Sequence, residues 1–317
     1  MLKQFYAIAL LMLPLLAQGA EDNASTVNMR AVKVGVHSYY VEGLPGAASA
    51  ANQGFMSNAG FVVTPAGVVV FDSLGTPPLA DALLARIRKV TQAPIKRVIV
   101  SHYHADHIYG LQAFKAAGAE IWAHENSREY LNSPELENRL AQRREELFPW
   151  VDERTRVVAP DVKLSGDMDF ELGGVHFAVR HVGPAHSGED LAMYVMEDKV
   201  LYAGDLVFKG RVPFVGDADS KSWLLSLDKL LAFNTRTLVP GHGGVSKNAK
   251  ADLRLTRDYL TFIRKAMGKA VDELVPFDEA YARTDWSRWK RLPAFNEANR
   301  ANAYNTYILM EKEALAR

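Results

Sequence analysis

Cysteine is absent from all 317 residues of this chain, which removes disulfides, thiolate nucleophiles, thiolate metal sites and cysteine-linked lipids from consideration. Stability must rest on a packed core, with bound metal as the other available support. Net charge is missing too: 37 Lys and Arg balance 37 Asp and Glu, and no block of basic residues offers a footprint for nucleic acid. Nucleic acid is not an expected partner. A membrane-spanning run is the third absence, because the apolar stretch from Phe5 to Ala17 falls short of the roughly 20 residues a span requires. That stretch follows Lys3 and precedes the small residues Ala17-Gln18-Gly19-Ala20 and the acidic Glu21-Asp22, the layout of a secretory signal peptide cleaved near Gly19 or Ala20. The expected mature protein is periplasmic or secreted, with no stable membrane anchor after cleavage.

A hydrophobic content of 48% and a charged content of 23% describe a globular chain able to bury a large core. Residues 1–20 are expected to be the signal segment and 21–317 a single domain. Ala31 to Tyr40 reads as a strand. Residues 57–63 and 68–72, joined by Thr64-Pro65-Ala66-Gly67, read as a hairpin feeding a core strand. Leu79 to Val90 reads as an amphipathic helix, Arg97 to Val100 as a strand, Ile108 to Ala117 as a second helix and Ala119 to Ala123 as another strand. Strands alternating with helices at this spacing argue for a layered α/β core. Residues 126–150 are charged and helical, an insertion that either covers the core or forms a solvated surface. From Asp161 to Tyr202 the pattern returns to short strands with tight turns, and from Ala249 onward it is helical, with Trp286, Trp289 and Phe295 expected to pack the C-terminal helices on the core.

The densest chemistry lies just after the strand Val98-Ile99-Val100, in Ser101-His102-Tyr103-His104-Ala105-Asp106-His107. Imidazoles and carboxylates are the usual nitrogen and oxygen ligands of zinc and related divalent ions. His102 and His104 lie two apart, so an extended segment puts both on one face while a helix would separate them. Asp106 and His107 follow where the pattern turns helical, which directs them elsewhere, towards a second metal. Three further ligand-type side chains each follow a core strand: His186 in Gly183-Pro184-Ala185-His186-Ser187-Gly188, Asp205 in Ala203-Gly204-Asp205, and His242 in Val239-Pro240-Gly241-His242-Gly243-Gly244. Singly each is weak; together they repeat one theme. Asp72 closes an apolar strand, where a carboxylate is costly without partners. It reads either as an acceptor orienting a metal ligand or as a turn residue before Pro77-Pro78. His124 and His181 read as strand-end residues outside the ligand set, and His37 and His176 as structural members of strands.

The order and spacing of His102-x-His104-x-Asp106-His107, His186, Asp205 and His242 resemble the metallo-β-lactamase-fold hydrolases with a glyoxalase II-like dinuclear ligand set. By length, signal segment and the wording of Phe71-Asp72-Ser73 and of residues 102–110, the chain looks most like exported zinc hydrolases found near sulfur-oxidation or quinoprotein systems. The resemblance implies an αββα sandwich with C-terminal helices and a dinuclear centre at one edge. In such a centre the residues matching His102, His104 and His186 hold the first metal, and those matching Asp106, His107 and His242 hold the second. The residue matching Asp205 bridges them, and Asp72 matches the family's acidic residue after the early core strand. Two Zn²⁺ are the expected cofactors, with iron or manganese as alternatives. Asp106 is the expected catalytic residue, orienting and deprotonating a metal-bridging hydroxide. The expected function is an exported dinuclear zinc hydrolase of an ester, thioester, lactone or amide-type bond, acting on an anionic or carbonyl-containing small molecule. Alternative readings are a mononuclear iron persulfide dioxygenase-like oxidoreductase, a β-lactamase, and a non-catalytic metal-binding accessory protein. The β-lactamases that use a cysteine ligand are excluded, and those lacking a bridging carboxylate are disfavoured by Asp205.

Overall fold

A computed structural model describes residues 24–316; the expected signal segment lies outside these residues. The chain lays down a first sheet of seven strands. These are β1 (Val32–Lys33), β2 (Ser38–Val41), β3 (Ala59–Thr64) and β4 (Gly67–Phe71), followed by helix α1 (Pro77–Val90) and β5 (Ile95–Ile99). Helices α2 (Ala105–Ile108) and α3 (Leu111–Ala116) lead to β6 (Glu120–His124), and α4 (Ser127–Leu131) and α5 (Pro134–Glu146) lead to β7 (Val162–Leu164). The seven strands lie side by side in sequence order. Pairing is antiparallel up to β4 and parallel beyond it, the change falling where helices begin to cross between strands.

The second sheet contains β8 (Met168–Leu172), β9 (Val175–His181), β10 (Leu191–Val195), β11 (Val200–Tyr202) and, after helix α6 (Ser220–Leu231), β12 (Thr237–Val239). Its order is β12-β11-β10-β9-β8. Helices α7 (Ala249–Asp272), α8 (Phe277–Arg283) and α9 (Phe295–Leu315) complete the chain.

Three apolar layers follow from the sequence pattern. Between the sheets, Val62, Val69, Phe71 and Ile99 meet Phe177, Val179, Met193 and Tyr202. Gly60 makes room for that contact, since a Cβ there would fall 2.1 Å from the Tyr202 ring. Outside the first sheet, the α1 stripe Leu79, Leu83 and Ile87 packs with Leu111 and Phe114 of α3. Thr76 starts α1 by capping the Leu79 amide ahead of Pro77 and Pro78, a helix opening with two mutually supporting signals. Outside the second sheet, Trp223 and Leu227 of α6 pack with Leu260 and Ile263 of α7. Helix, sheet, sheet and helix give the expected αββα sandwich.

Three expectations need correction, and one helix was missed. The strand over Ala31 to Tyr40 is broken after Lys33, because Asp198 accepts the amides of Val36 and His37 at 2.9 Å each and draws the chain into a turn. His37 therefore sits in that turn, its Nδ1 3.2 Å from the Val63 carbonyl. The helix expected over Ile108 to Ala117 is two helices separated at Tyr109-Gly110, where the Gly110 amide donates to the Leu74 carbonyl. Helix α6 was not foreseen, although Asp219 caps it and Trp223, Leu227 and Leu230 fall at helical spacing. Trp286 and Trp289 pack against Phe262 and Tyr259 as expected. Among the described residues, no helix is long and apolar enough to cross a membrane.

Candidate active site

The seven ligand-type residues foreseen from sequence meet at one edge of the sandwich. His102 and His104 lie on the extended segment leaving β5, and the short helix α2 carries Asp106 and His107. His186 comes from the β9–β10 loop, Asp205 from a 3-10 turn after β11, and His242 from the segment after β12. His102, His107, His186, Asp205 and His242 are buried, while His104 and Asp106 are half-buried. His104, Asp106, His186, Asp205 and His242, together with Arg211 and residues of α5 and α9, border a cavity of about 920 Å³.

Two groups form. In the first, His104 Nδ1 lies 3.0 Å from His102 Nε2 and 2.9 Å from His186 Nε2. In the second, Asp106 Oδ2 lies 3.3 Å from His242 Nε2 and 3.5 Å from His107 Nε2. Asp205 stands between them and divides its oxygens. Oδ2 faces His186 Nε2 at 3.5 Å and His102 Nε2 at 4.0 Å, and Oδ1 faces His107 Nε2 and His242 Nε2 at 3.2 Å each.

Neighbouring groups fix which ring nitrogens carry lone pairs. Asp72 Oδ2 accepts from Ser101 Oγ at 2.8 Å, so that hydroxyl must in turn accept from His102 Nδ1 at 2.9 Å, since a hydroxyl has one proton to give. Asp72 Oδ2 also accepts from His107 Nδ1 at 2.9 Å, and the Met56 carbonyl accepts from His242 Nδ1 at 2.8 Å. Each bond leaves Nε2 bare and aimed into the site, which is how a carboxylate or carbonyl orients a metal-binding imidazole. Asp72 thus makes the contacts that its reading as an orienting acceptor requires.

This arrangement fits divalent metal. The bare Nε2 atoms of His107 and His242 point at carboxylate oxygens, lone pair against lone pair, and His107 Nε2 and Asp205 Oδ1 are buried without hydrogen-bond partners. Such contacts are repulsive unless a cation lies between them. Without metal that cation is a proton: burial opposes charge on His242, yet Asp205 and Asp106 outweigh it and push the ring up to about 9. His107 is raised well above its ordinary range in the same way, so a metal ion would take the place of these protons. In the first group, burial and neighbouring histidines hold His102 far down and His186 down at about 3, so these rings are neutral. Neutral imidazoles with ionised carboxylates are the donor set of zinc and its neighbours.

The surrounding chain holds the ligands in place. Asn58 donates from Nδ2 to the carbonyls of Pro240 and Gly243 at 2.8 Å each and accepts the Gly43 amide at 3.0 Å, fixing the turn that carries His242. Ser57 Oγ donates to the Asp106 carbonyl at 2.5 Å. Gly241 lies so close to Asp205 that a Cβ would stand 2.0 Å from its Oδ1. Sequence reasoning missed Asn58, Ser57 and Arg211, whose importance depends on contacts with distant segments. His124 and His181 stay outside the cluster, stacked on each other with ring centroids 3.7 Å apart.

Comparison with known proteins agrees with this geometry. The sequence signature of the metallo-beta-lactamase superfamily matches residues 52–242. The chain belongs to that superfamily of metal-dependent hydrolases. A linear primary-alkylsulfatase from Pseudomonas sp. is 28% identical over 255 residues, covering 68% of this chain and 48% of the relative. This chain thus spans about half the length of that enzyme. A metallo-beta-lactamase from Chryseobacterium indologenes is 22% identical over 244 residues, covering 75% of this chain and 90% of the relative. Among solved structures, a stereoselective inverting sec-alkylsulfatase from Pseudomonas sp. superposes with a TM-score of 0.68 at 20% identity, covering 88% of this chain and 50% of that one.

Proposed function

We propose that the protein is a dinuclear zinc hydrolase of ester-type bonds. The observation that carries this reading is the division of Asp205, one oxygen toward His102 and His186 of the first group and the other toward His107 and His242 of the second. The first group would hold one zinc ion, the second another, and Asp205 would bridge them. Two divalent ions so held lower the pKa of bound water toward neutrality and act as Lewis acids on the scissile group.

The chain's own contribution is positional. Asp106 is the only carboxylate of the cluster that is half-open to the cavity. Burial alone would raise its carboxyl, but His107 and His242 outweigh burial and hold it well below the usual carboxylate range. As a carboxylate it would orient the attacking water by accepting a hydrogen bond from it. Asp72 keeps His107 and the Ser101–His102 segment aligned while this happens. Two dications against two aspartates leave positive charge facing the cavity, which favours an anionic substrate or a developing oxyanion.

The likeness to a linear primary-alkylsulfatase makes alkyl sulfate esters the first bonds we would try, with thioesters, lactones and β-lactams beside them. Zinc-loaded protein assayed on that panel should turn over at least one member, and His104→Ala should lower kcat/KM at least ~10³-fold. Turnover unchanged in His104→Ala, or one iron per chain with oxygen uptake on a persulfide, refutes the hydrolase. The N-terminal pattern supports export to the periplasm or medium; N-terminal sequencing of the mature protein should find it beginning near Glu21.

A further inference from the structure

The cavity holds a cation that the hydrolytic chemistry above does not use. Arg211 is only 8% exposed and borders the same cavity as His104, Asp106, His186, Asp205 and His242. Among the described residues its guanidinium has no hydrogen-bond or ion-pair partner, and its Nε is fully buried. An aromatic ring lies beside the guanidinium. Cζ lies 5.9 Å from the centre of the Phe208 ring, and Phe208 stacks on His242 at 5.1 Å with the planes 4° apart. Asp205, Asp106 and Glu297 are close enough to act on Arg211 electrostatically, yet none reaches it as an ion pair. A buried guanidinium without a partner is costly, and its planar fork of donors matches an oxyanion.

The other cations of the cavity are already engaged. Arg139 pairs with Glu135 at 2.9 Å and Arg143 with Glu146 at 2.6 Å. Arg211 differs from them in being both buried and free.

Its segment is also held rigidly. The Val212 amide donates to the Pro293 carbonyl at 3.0 Å. Asn302, buried in α9, accepts the Val215 amide at 2.9 Å and donates to the Pro213 carbonyl at 2.7 Å. Asn305 donates to the Gly216 carbonyl at 2.9 Å. A cation fixed before any ligand arrives spends little ordering entropy on binding. The cavity wall mixes polar groups, Asp217, Asp219 and Glu297 among them, with apolar surface from Met56, Phe208, Phe214 and Ala298, and Phe214 leaves 46% of its surface in water at the rim.

We propose that Arg211 is the receptor for an oxyanion carried by the substrate, so that this cavity takes amphiphilic anions, a sulfate or carboxylate head on an apolar body, in preference to neutral esters. The assignment rests on the hydrolytic reading for the word substrate, while the anion site itself is measured without turnover. Calorimetry on the zinc-loaded protein would compare 1-octanesulfonate, which cannot be hydrolysed as an ester, with octanoate and neutral 1-octanol. The wild type should bind octanesulfonate or octanoate at least tenfold tighter than octanol, the tighter of the two identifying the head group. Arg211→Met should abolish most of that preference with metal content unchanged, and Arg211→Lys, which keeps the charge but loses the fork, should retain part of it.

Equal binding of the anions and octanol by the wild type overturns the proposal, and this arm needs no variant to fold. So does a preference left intact in Arg211→Met. Anion binding that depends on Arg211 in a protein that hydrolyses nothing keeps the receptor and sinks the hydrolase. Hydrolysis of octyl sulfate and octyl acetate with equal kcat/KM, both unmoved by Arg211→Met, sinks the receptor and keeps the hydrolase.

Discussion

Asp72 and His107 are joined by a 2.9 Å hydrogen bond between Oδ2 and Nδ1, and the same carboxylate takes the Ser101 amide on Oδ1 at 2.7 Å. One buried side chain after β4 thus orients a ring on α2 and the segment that carries His102. Asp72 adopts a positive φ of 62°, a backbone region that Asn also tolerates. Asp72→Asn should therefore keep the fold while removing the charge that holds the His107 tautomer. Affinity for the second metal ion is expected to fall about 10–100-fold, read by chelator competition, with the circular dichroism spectrum unchanged.

Gly241 supplies space rather than flexibility. A methyl group there would meet Asp205 Oδ1 at 2.0 Å and the Gly204 carbonyl carbon at 2.6 Å. Gly241→Ala should displace either Asp205 or the turn before His242, with about 1–3 kcal/mol lost from stability and weaker uptake of metal. Gly166→Ala is the matched control, because a Cβ at Gly166 meets nothing within 4 Å. Equal metal uptake by the two variants would contradict the close-packing argument.

The stacked pair His124 and His181 makes stability depend on pH. Burial first, and His181 second, hold His124 down at about 4 against its ordinary 6.5. The unfolded chain binds the proton more readily than the folded one. The contribution of neutral His124 is therefore fully present above about pH 6.5 and is lost as pH falls toward about 4. His124→Phe keeps a ring in the stack without a titrating group. Urea unfolding at pH 7, 5.5 and 4.5 should show a shallower acid decline in that variant, and parallel declines would count against the assignment.

Much of the site was legible because metal ligands come as local clusters and strand ends. The spacing of His102 and His104 needs an extended segment, and that of Asp106 and His107 a helical one; both conformations are present. The role of Asp205 as a bridge came from family resemblance, and its divided oxygens became visible only once three loops met. Asn58, Asn302 and Arg211 left no local signal. Asn302 reaches the backbone of Pro213, 89 residues away, and Lys209-Gly210-Arg211 looks like an ordinary polar loop until the fold buries its arginine. Helix α6 was legible in principle, since its cap and apolar spacing are local. The turn at residues 34–37 was not, because Asp198, which bends it, lies more than 160 residues away.

The central claim is that Asp205 stands between two metal sites rather than completing one. Metal analysis of purified protein after zinc reconstitution tests it most directly, paired with hydrolysis of the preferred substrate. The account predicts about two zinc ions per active chain and about one in Asp205→Ala, with turnover lost. Full activity with a single metal ion per chain, or two ions still bound tightly in Asp205→Ala, would contradict it.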